Sequence, residues 1–319
     1  MVNVLERAGS TRQSALQPVL RTRSVCPLCK SPRLAEALRL DGFRIVKCEA
    51  CEFMFTQDVM APEAITDFYV DGYHDARHAA GQRVNASINM SVLDSLGVDV
   101  RGKAALDIGA GFGFLLARLR QRGAQHCLGV ELSRAQRRYA SDTLGLEVAA
   151  GLMELRASEQ FDIIMLFEVI EHIPEPAEFI QSILPVLKPG GSLIVGTDNF
   201  TSAAVQTLAA GFPKWIPHEH VSFFSPQTLT ALLARSPDLR LVDTRSFTTW
   251  EMLARSLLCR LTSGRRGGVV YDYEADQRQD AQRKYRLFTL RLAINQLWFR
   301  LAHRRDLGGA MMYLHMRKS

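Results

Sequence analysis

From residue 100 onward, short apolar runs alternate with stretches whose apolar positions recur every three or four residues. Ala104-Ala-Leu-Asp-Ile108 reads as a first strand, and the pattern over 114–119 begins a helix ending near Gly123. Cys127-Leu-Gly-Val130 is a second strand, after which Ser133 is placed to cap a helix reaching Leu144. Val148-Ala-Ala150 is a third, short strand, and Phe161-Asp-Ile-Ile-Met-Leu166 a fourth, followed by a helix over 176–187. Ser192-Leu-Ile-Val-Gly196 is a fifth strand, 226–234 a helix, and 239–246 a sixth strand. Ala310-Met-Met-Tyr-Leu-His-Met-Arg317 alternates like a closing edge strand. Strands alternating with amphipathic helices predict an α/β fold, a parallel sheet covered on both faces.

Outside this region the pattern changes. Residues 60–100 read as helical: Pro62 stands at an early helical position, and Ile88, Val92, Leu93 and Leu96 recur at helical spacing before Gly97. Between the sixth strand and the last lies an insertion of about 60 residues, mostly helical and broken around Gly264 and Gly268. The resulting organisation is a flexible basic tail over 1–24, a cysteine module over 25–56 and a helical linker or lid over 57–100. A core follows over 101–248 and 306–319, with a helical insertion over 249–305.

A chain of 319 residues with 47% hydrophobic and 23% charged positions fits this globular reading. The net charge of +6 says little, but its placement is informative. Arg7, Arg12, Arg21 and Arg23 face a single acid, Glu6, in the first 24 residues, and the stretch 283–305 carries seven Arg or Lys and no acid. No apolar run approaches the roughly 20 residues of a membrane span, so a cytoplasmic protein is expected.

Cys26-Pro-Leu-Cys29 and Cys48-Glu-Ala-Cys51 account for four of the six cysteines. Each C-x-x-C knuckle turns two thiolates toward one ion, and two such knuckles at this separation predict a structural zinc ribbon of Cys26, Cys29, Cys48 and Cys51. A dithiol redox pair would instead sit singly beside a βαβ unit. Four sulfur ligands leave no open position, so the ion is structural rather than catalytic.

Leu106-Asp-Ile-Gly109-Ala-Gly111-Phe-Gly113 joins the first strand to the next helix, and Glu131 ends the second strand. Glycines let a backbone approach a ligand closely, and an acid at that position can bind ribose hydroxyls. The dinucleotide fingerprint G-x-G-x-x-G needs a third glycine at position 114, where this chain has Phe114.

With its neighbours this loop resembles the first motif of the class I S-adenosylmethionine-dependent methyltransferases. Gly129-Val-Glu131-Leu-Ser is similar to their second motif, Phe161-Asp-Ile-Ile-Met-Leu-Phe-Glu-Val-Ile-Glu171-His172-Ile-Pro-Glu-Pro176 to the fourth-strand motif, and Leu187-Lys-Pro-Gly-Gly191-Ser-Leu-Ile-Val to the turn into the fifth strand. The resemblance implies a Rossmann-like, doubly wound sheet of seven strands with the last antiparallel. It implies S-adenosylmethionine as cofactor, with Asp107, Gly109, Ala110, Gly111 and Gly113 around the methionine part and Glu131 on the ribose. Leu132, Leu152 and Met153 would sandwich the adenine, Phe167 and Glu168 would line the sulfonium side, and Tyr73 would close over the cofactor. At the third motif, Gly151-Leu-Met-Glu154 departs from the family's acid at the adenine.

Glu168-Val-Ile-Glu171-His172 follows the fourth strand, and Pro217-His218-Glu-His220 lies further on. A hydroxyl acceptor must lose its proton, to a histidine or through a metal. Glu171, His172, His218 and His220 are therefore candidate catalytic residues. The group is similar to the metal site of some hydroxyl methyltransferases, which implies Mg or Mn at Glu168, Glu171 and His172; the other reading is that Glu171 and His172 steady the strand-to-helix turn.

The expected reaction is O-methylation of a small-molecule or glycan hydroxyl. An RNA 2′-hydroxyl acceptor, or a non-catalytic adaptor using the ribbon, are the alternatives. Leu287, Phe288, Leu290, Ile294, Leu297, Trp298 and Leu301 recur at helical spacing among the arginines of 283–305. That helix would cap the acceptor pocket, form a dimer face, or touch the inner face of an anionic membrane carrying a lipid-linked acceptor. Nucleic acid is disfavoured, because regularly spaced stacking aromatics on a polar sheet are absent.

Overall fold

The computed structural model describes residues 20–61, 64, 70, 76–156, 158–262 and 288–319. Five short strands come first: β1 (Leu20–Thr22), β2 (Leu34–Leu40), β3 (Phe43–Cys48), β4 (Met54–Thr56) and β5 (Asp58–Met60). Helix α1 (Ala76–Ser95) leads into the core. There β6 (Ala104–Ile108), α2 (Phe114–Gln121), β7 (His126–Val130), α3 (Arg134–Leu144), β8 (Glu147–Ala149) and β9 (Phe161–Phe167) follow one another. Next come α4 (Pro176–Ile183), β10 (Leu187–Asp198), α5 (Ala203–Leu208), β11 (Ser222–Phe223), α6 (Pro226–Ala234) and β12 (Leu239–Phe247). The chain closes with α7 (Trp250–Thr262), α8 (Phe288–Ala302) and β13 (Met311–Lys318).

The main sheet has seven strands in the order β12-β13-β10-β9-β6-β7-β8, and β13 runs antiparallel to both its neighbours. Its strands bury both faces, as parallel sheets do. Leu106 and Ile108, Ile164 and Leu166, Leu193 and Val195 point into one core; Ala105, Ile163, Met165 and Ile194 point into the other. The first core is closed by α4 and α6 and reaches Cys26, Cys48, Phe53 and Phe55 of the cysteine module. The second is closed by α1, α2 and Phe299 of α8.

Two expectations need correction. The last strand is not an edge: it lies between β10 and β12, and Met312–Met316 are buried. Its polar position, His315, is buried with Nε2 2.9 Å from Ser192 Oγ and Nδ1 without a partner, so alternation there does not signal a solvent face. The edge is β12, whose Leu241 and Val242 are half exposed. The helix predicted over 176–187 stops at Ile183; a single 3₁₀ turn carries Pro185, and Leu187 already pairs with Phe161 in the sheet.

The cysteine module forms a four-stranded sheet ordered β11-β4-β3-β2, so its fourth strand comes from residues 222 and 223 of the core. Among the described residues no helix is long and apolar enough to cross a membrane.

Candidate functional site

The carboxyl ends of β6, β7, β9 and β10 open on one side of the sheet, where ligands bind in doubly wound folds. The loop 109–113 lies there. Gly109 and Gly111 have φ +78° and +57°, and a Cβ at Gly109 would stand 2.5 Å from Val169 Cγ2. A Cβ at Gly111 would collide with the Gln82 side chain, so both positions demand glycine. Glu131 folds back onto this loop: its carboxylate accepts from Gly111 N at 2.8 Å and Ser133 N at 2.7 Å. Burial raises its pKa, and those two N–H bonds oppose the rise. Asp107 is 4% exposed, and burial followed by the charge of Glu131 pushes it up to about 8.

The residues expected at the adenine lie at the rim. Leu132 is 37% and Met153 98% exposed, while Leu152 leans on the core and Ala110 is buried. Tyr73 lies outside the described residues. Gln82 of α1 bridges the loop, accepting from Phe112 N at 3.0 Å and donating to Gln136 at 3.1 Å.

Glu168 follows β9 directly and has φ +55°, a left-handed conformation uncommon outside glycine. Its carboxylate accepts from Lys214 Nζ and from Asn85 Nδ2, both at 2.7 Å. The Lys214 charge holds Glu168 below the usual carboxylate range. Burial acts to lower Lys214, and the charges of Glu168 and Asp198 outweigh it, so its pKa stands well above the ordinary value. Asp198 closes β10, is 2% exposed, and has one oxygen, Oδ2, without a hydrogen bond, 3.9 Å from Lys214 Nζ. Burial pushes Asp198 up to about 6, with Lys214 opposing.

A cavity of about 170 Å³ opens beside these groups, with Phe167, Phe247, Met252 and Tyr313 among its walls. Helix α7 supplies Met252, so the insertion forms part of that wall.

Glu171, His172 and His220 come together, with one ligand-capable atom from each within 4.8 Å of the others. His172 Nδ1 lies 3.1 Å from Glu219 O and His220 Nδ1 2.9 Å from Lys214 O. A carbonyl only accepts, so each Nδ1 carries the proton and each Nε2 presents a lone pair. Burial lowers the pKa of both imidazoles, keeping them neutral. Glu171 is fully buried; Oε2 accepts from Thr197 Oγ1 at 2.8 Å and Oε1 has no partner. Burial, then the charges of Asp198 and Glu168, pushes Glu171 up to about 8. Two neutral imidazoles and an orphaned carboxyl oxygen suit a divalent cation of the zinc or manganese kind.

The set expected for Mg or Mn is not the one assembled, because Glu168 is engaged by Lys214 and His220 takes its place. His218 also stands apart, exposed, against Glu219 at 3.3 Å. Sequence reasoning missed Asn85, Asp198 and Lys214. Asp198 was detectable as an acid ending an apolar strand, on the side where ligands bind. Lys214 had no local signal beyond being a lone cation in Phe212-Pro-Lys-Trp-Ile-Pro217.

The four module cysteines also converge. Sγ–Sγ separations are 3.6 Å for Cys26–Cys51 and 3.5 Å for Cys29–Cys48. A tetrahedron of thiolates at a zinc–sulfur distance of about 2.3 Å has edges of about 3.8 Å, whereas a disulfide needs about 2.05 Å. The donor set and its spacing fit zinc.

Comparison with known proteins agrees with this geometry. A family model described as a methyltransferase domain matches residues 82–243. The ubiquinone biosynthesis O-methyltransferase of Stutzerimonas stutzeri is 36% identical over 148 residues, covering 42% of this chain and 63% of that one. The protein of the same name from Xanthomonas oryzae pv. oryzae is 31% identical over 173 residues, covering 50% and 72%. This chain thus spans roughly two thirds of the length of these relatives. A solved SAM-dependent methyltransferase from Thermotoga maritima shares 16% identity over 74% of this chain and 89% of its own, with a TM-score of 0.47, and adds nothing to the assignment. With the family model spanning half of its length, the chain belongs to the S-adenosylmethionine-dependent methyltransferases.

Proposed function

We propose that this protein transfers the methyl group of S-adenosylmethionine to a hydroxyl of a small acceptor with an apolar body. The observation that carries the reading is the cavity beside Glu168, where Phe167, Phe247, Met252 and Tyr313 meet the buried carboxylate of Asp198, which has Lys214 as its countercharge. The glycine loop and Glu131 hold the cofactor, Glu131 exchanging its loop N–H bonds in part for ribose hydroxyls. Glu168 offsets the sulfonium charge while Lys214 and Asn85 orient it. The acceptor oxygen attacks the methyl carbon in line; its proton passes to Asp198, and the carbon–sulfur electron pair stays on sulfur. Positioning supplies most of the acceleration in such a displacement, and proton removal adds roughly 10²–10⁴-fold. The O-methyltransferase names of the relatives support the choice of oxygen. Phe167, Phe247, Met252 and Tyr313 offer apolar contact to a ring-bearing acceptor, with Asn85, Asn89 and Thr249 placed in the same wall to orient its polar groups.

Transfer of tritiated methyl to simple phenols, compared with soluble sugars, tests this. Labelled phenol, lost in Asp198→Asn with cofactor binding kept, supports it; labelled sugar with phenols untouched overturns it.

A second reading assigns proton removal to a cation at Glu171, His172 and His220. The orphaned Glu171 oxygen and the pinned imidazoles favour it. Such a cation would lower the pKa of a coordinated hydroxyl. Metal analysis separates the readings: one ion per chain beyond the ribbon's zinc, lost in His172→Ala, supports the cation. The ribbon cysteines themselves are assigned to structural zinc. A lipid-linked acceptor met at a membrane surface draws its support from exposed leucines, Leu297 and Leu301 of α8 beside Arg300 and Leu257, Leu258 and Leu261 of α7; flotation with anionic liposomes tests it.

A further inference from the structure

The acid–histidine group is not built by the methyltransferase core alone. Thr56, fully buried at the end of β4, donates its backbone N–H to Val221 O at 3.1 Å. Its hydroxyl is shared between Pro217 O at 3.1 Å and His220 O at 3.4 Å. One residue of the cysteine module therefore holds three carbonyls of the segment that carries His220.

The grip extends on both sides of Thr56. β4 pairs with β11 through Phe55↔Ser222 and Met54↔Phe223, and the rings of Phe53 and Phe224 lie 5.0 Å apart. Arg23, 6% exposed and stacked over Phe55, donates to Pro174 O at 2.8 Å and Val221 O at 3.2 Å. It thereby ties the turn after His172 to the strand after His220. Within the core side, Val221 N donates to Glu171 O at 2.8 Å and Ser222 Oγ to Ile173 O at 2.9 Å. His220 Nδ1 rests on Lys214 O, so a displaced 217–221 segment would carry the Lys214 backbone with it.

β4 begins three residues after Cys51, and Cys48 N donates to Phe53 O at 2.9 Å inside the second knuckle. The ion that fits the four sulfurs would fix that knuckle, and the knuckle fixes where β4 starts. We infer that the cysteine ribbon is the arm that positions the acid–histidine group, with Thr56 as its positioning residue, and that losing the ribbon dismantles this side of the site while the glycine-loop side stands. No hydrogen bond joins the described ribbon residues to the loop 109–113 or to Glu131, whose partners come from α1, α2, β7, β8 and α3. The inference rests on the proposed function only in naming this side the acceptor side.

Hydrogen exchange on the full chain tests it, read on peptides covering 212–224 and 106–136. Three proteins are compared with the zinc-loaded one: a chelator-treated sample, Thr56→Val and Thr56→Ser. Exchange over 212–224 should rise about tenfold or more in the first two, and Thr56→Ser should restore protection. The 106–136 peptides should keep theirs, and the dissociation constant for S-adenosylmethionine should stay within about threefold. Unchanged protection over 212–224 in Thr56→Val overturns the inference, as does a loss spread equally over 106–136. Failure of the wild-type protein to bind S-adenosylmethionine would count against the proposed function and leave the exchange result standing.

Discussion

Lys214 Nζ stands 2.7 Å from Glu168 Oε1, joining residues 46 apart in sequence at the carboxyl end of the central strands. The ammonium also faces Asp198 at 3.9 Å, so one cation serves the partly exposed Glu168 and the buried Asp198. Removing it leaves the buried Asp198 without its countercharge, whereas Glu168 keeps Asn85 and partial access to water. Lys214→Met should destabilise the protein by about 1–2 kcal/mol and abolish transfer, with denaturant unfolding and methyl-transfer assays as the checks. An unaffected unfolding midpoint would show the pair to be solvated.

Stability should fall as pH rises from about 5 to about 8. Glu171 and Asp107 are pushed up to about 8 and Asp198 to about 6, all above ordinary carboxylate values near 4. The folded state then binds more protons than the unfolded state between those limits, so stability decreases with pH. It is fully present below the unfolded pKa and lost as pH climbs through the folded one. Thermal unfolding across this range reports it, and Glu171→Gln should reduce the slope without abolishing it, because Asp107 titrates over the same window.

Activity should move the opposite way over the acid part of that range. If Asp198 takes the proton, kcat increases with pH through about 6, the value burial sets. Asp198→Asn should remove this limb and reduce kcat by about 100-fold or more, leaving cofactor affinity nearly unchanged.

Gly109→Ala should weaken cofactor binding by at least about tenfold and cost about 1–2 kcal/mol of stability, because φ is +78° and Val169 occupies the Cβ position. Calorimetry and denaturant unfolding measure the two effects separately.

Which parts of this were legible in the sequence follows from how local each signal is. The glycine loop and Glu131 could be read because strand, turn and helix are contiguous and each residue's task is set within a few positions. Both cysteine knuckles were readable for the same reason. Asp198 and Lys214 were not, since they meet Glu168 only after β9 and β10 pair and the 212–220 segment folds back. His218 and His220 look equivalent in sequence; a turn whose His220 N–H bonds Ile216 O turns one inward and leaves the other exposed. The last strand misled because its polar position, His315, finds Ser192 rather than water.

Titration calorimetry with S-adenosylmethionine on wild type and Glu131→Ala tests the central claim most directly. The account predicts micromolar binding to wild type, weakened at least about tenfold by the substitution, since the Glu131 carboxylate is held on the glycine loop by Gly111 N and Ser133 N. Absence of binding at about 1 mM cofactor, or equal affinity in the two proteins, would contradict it.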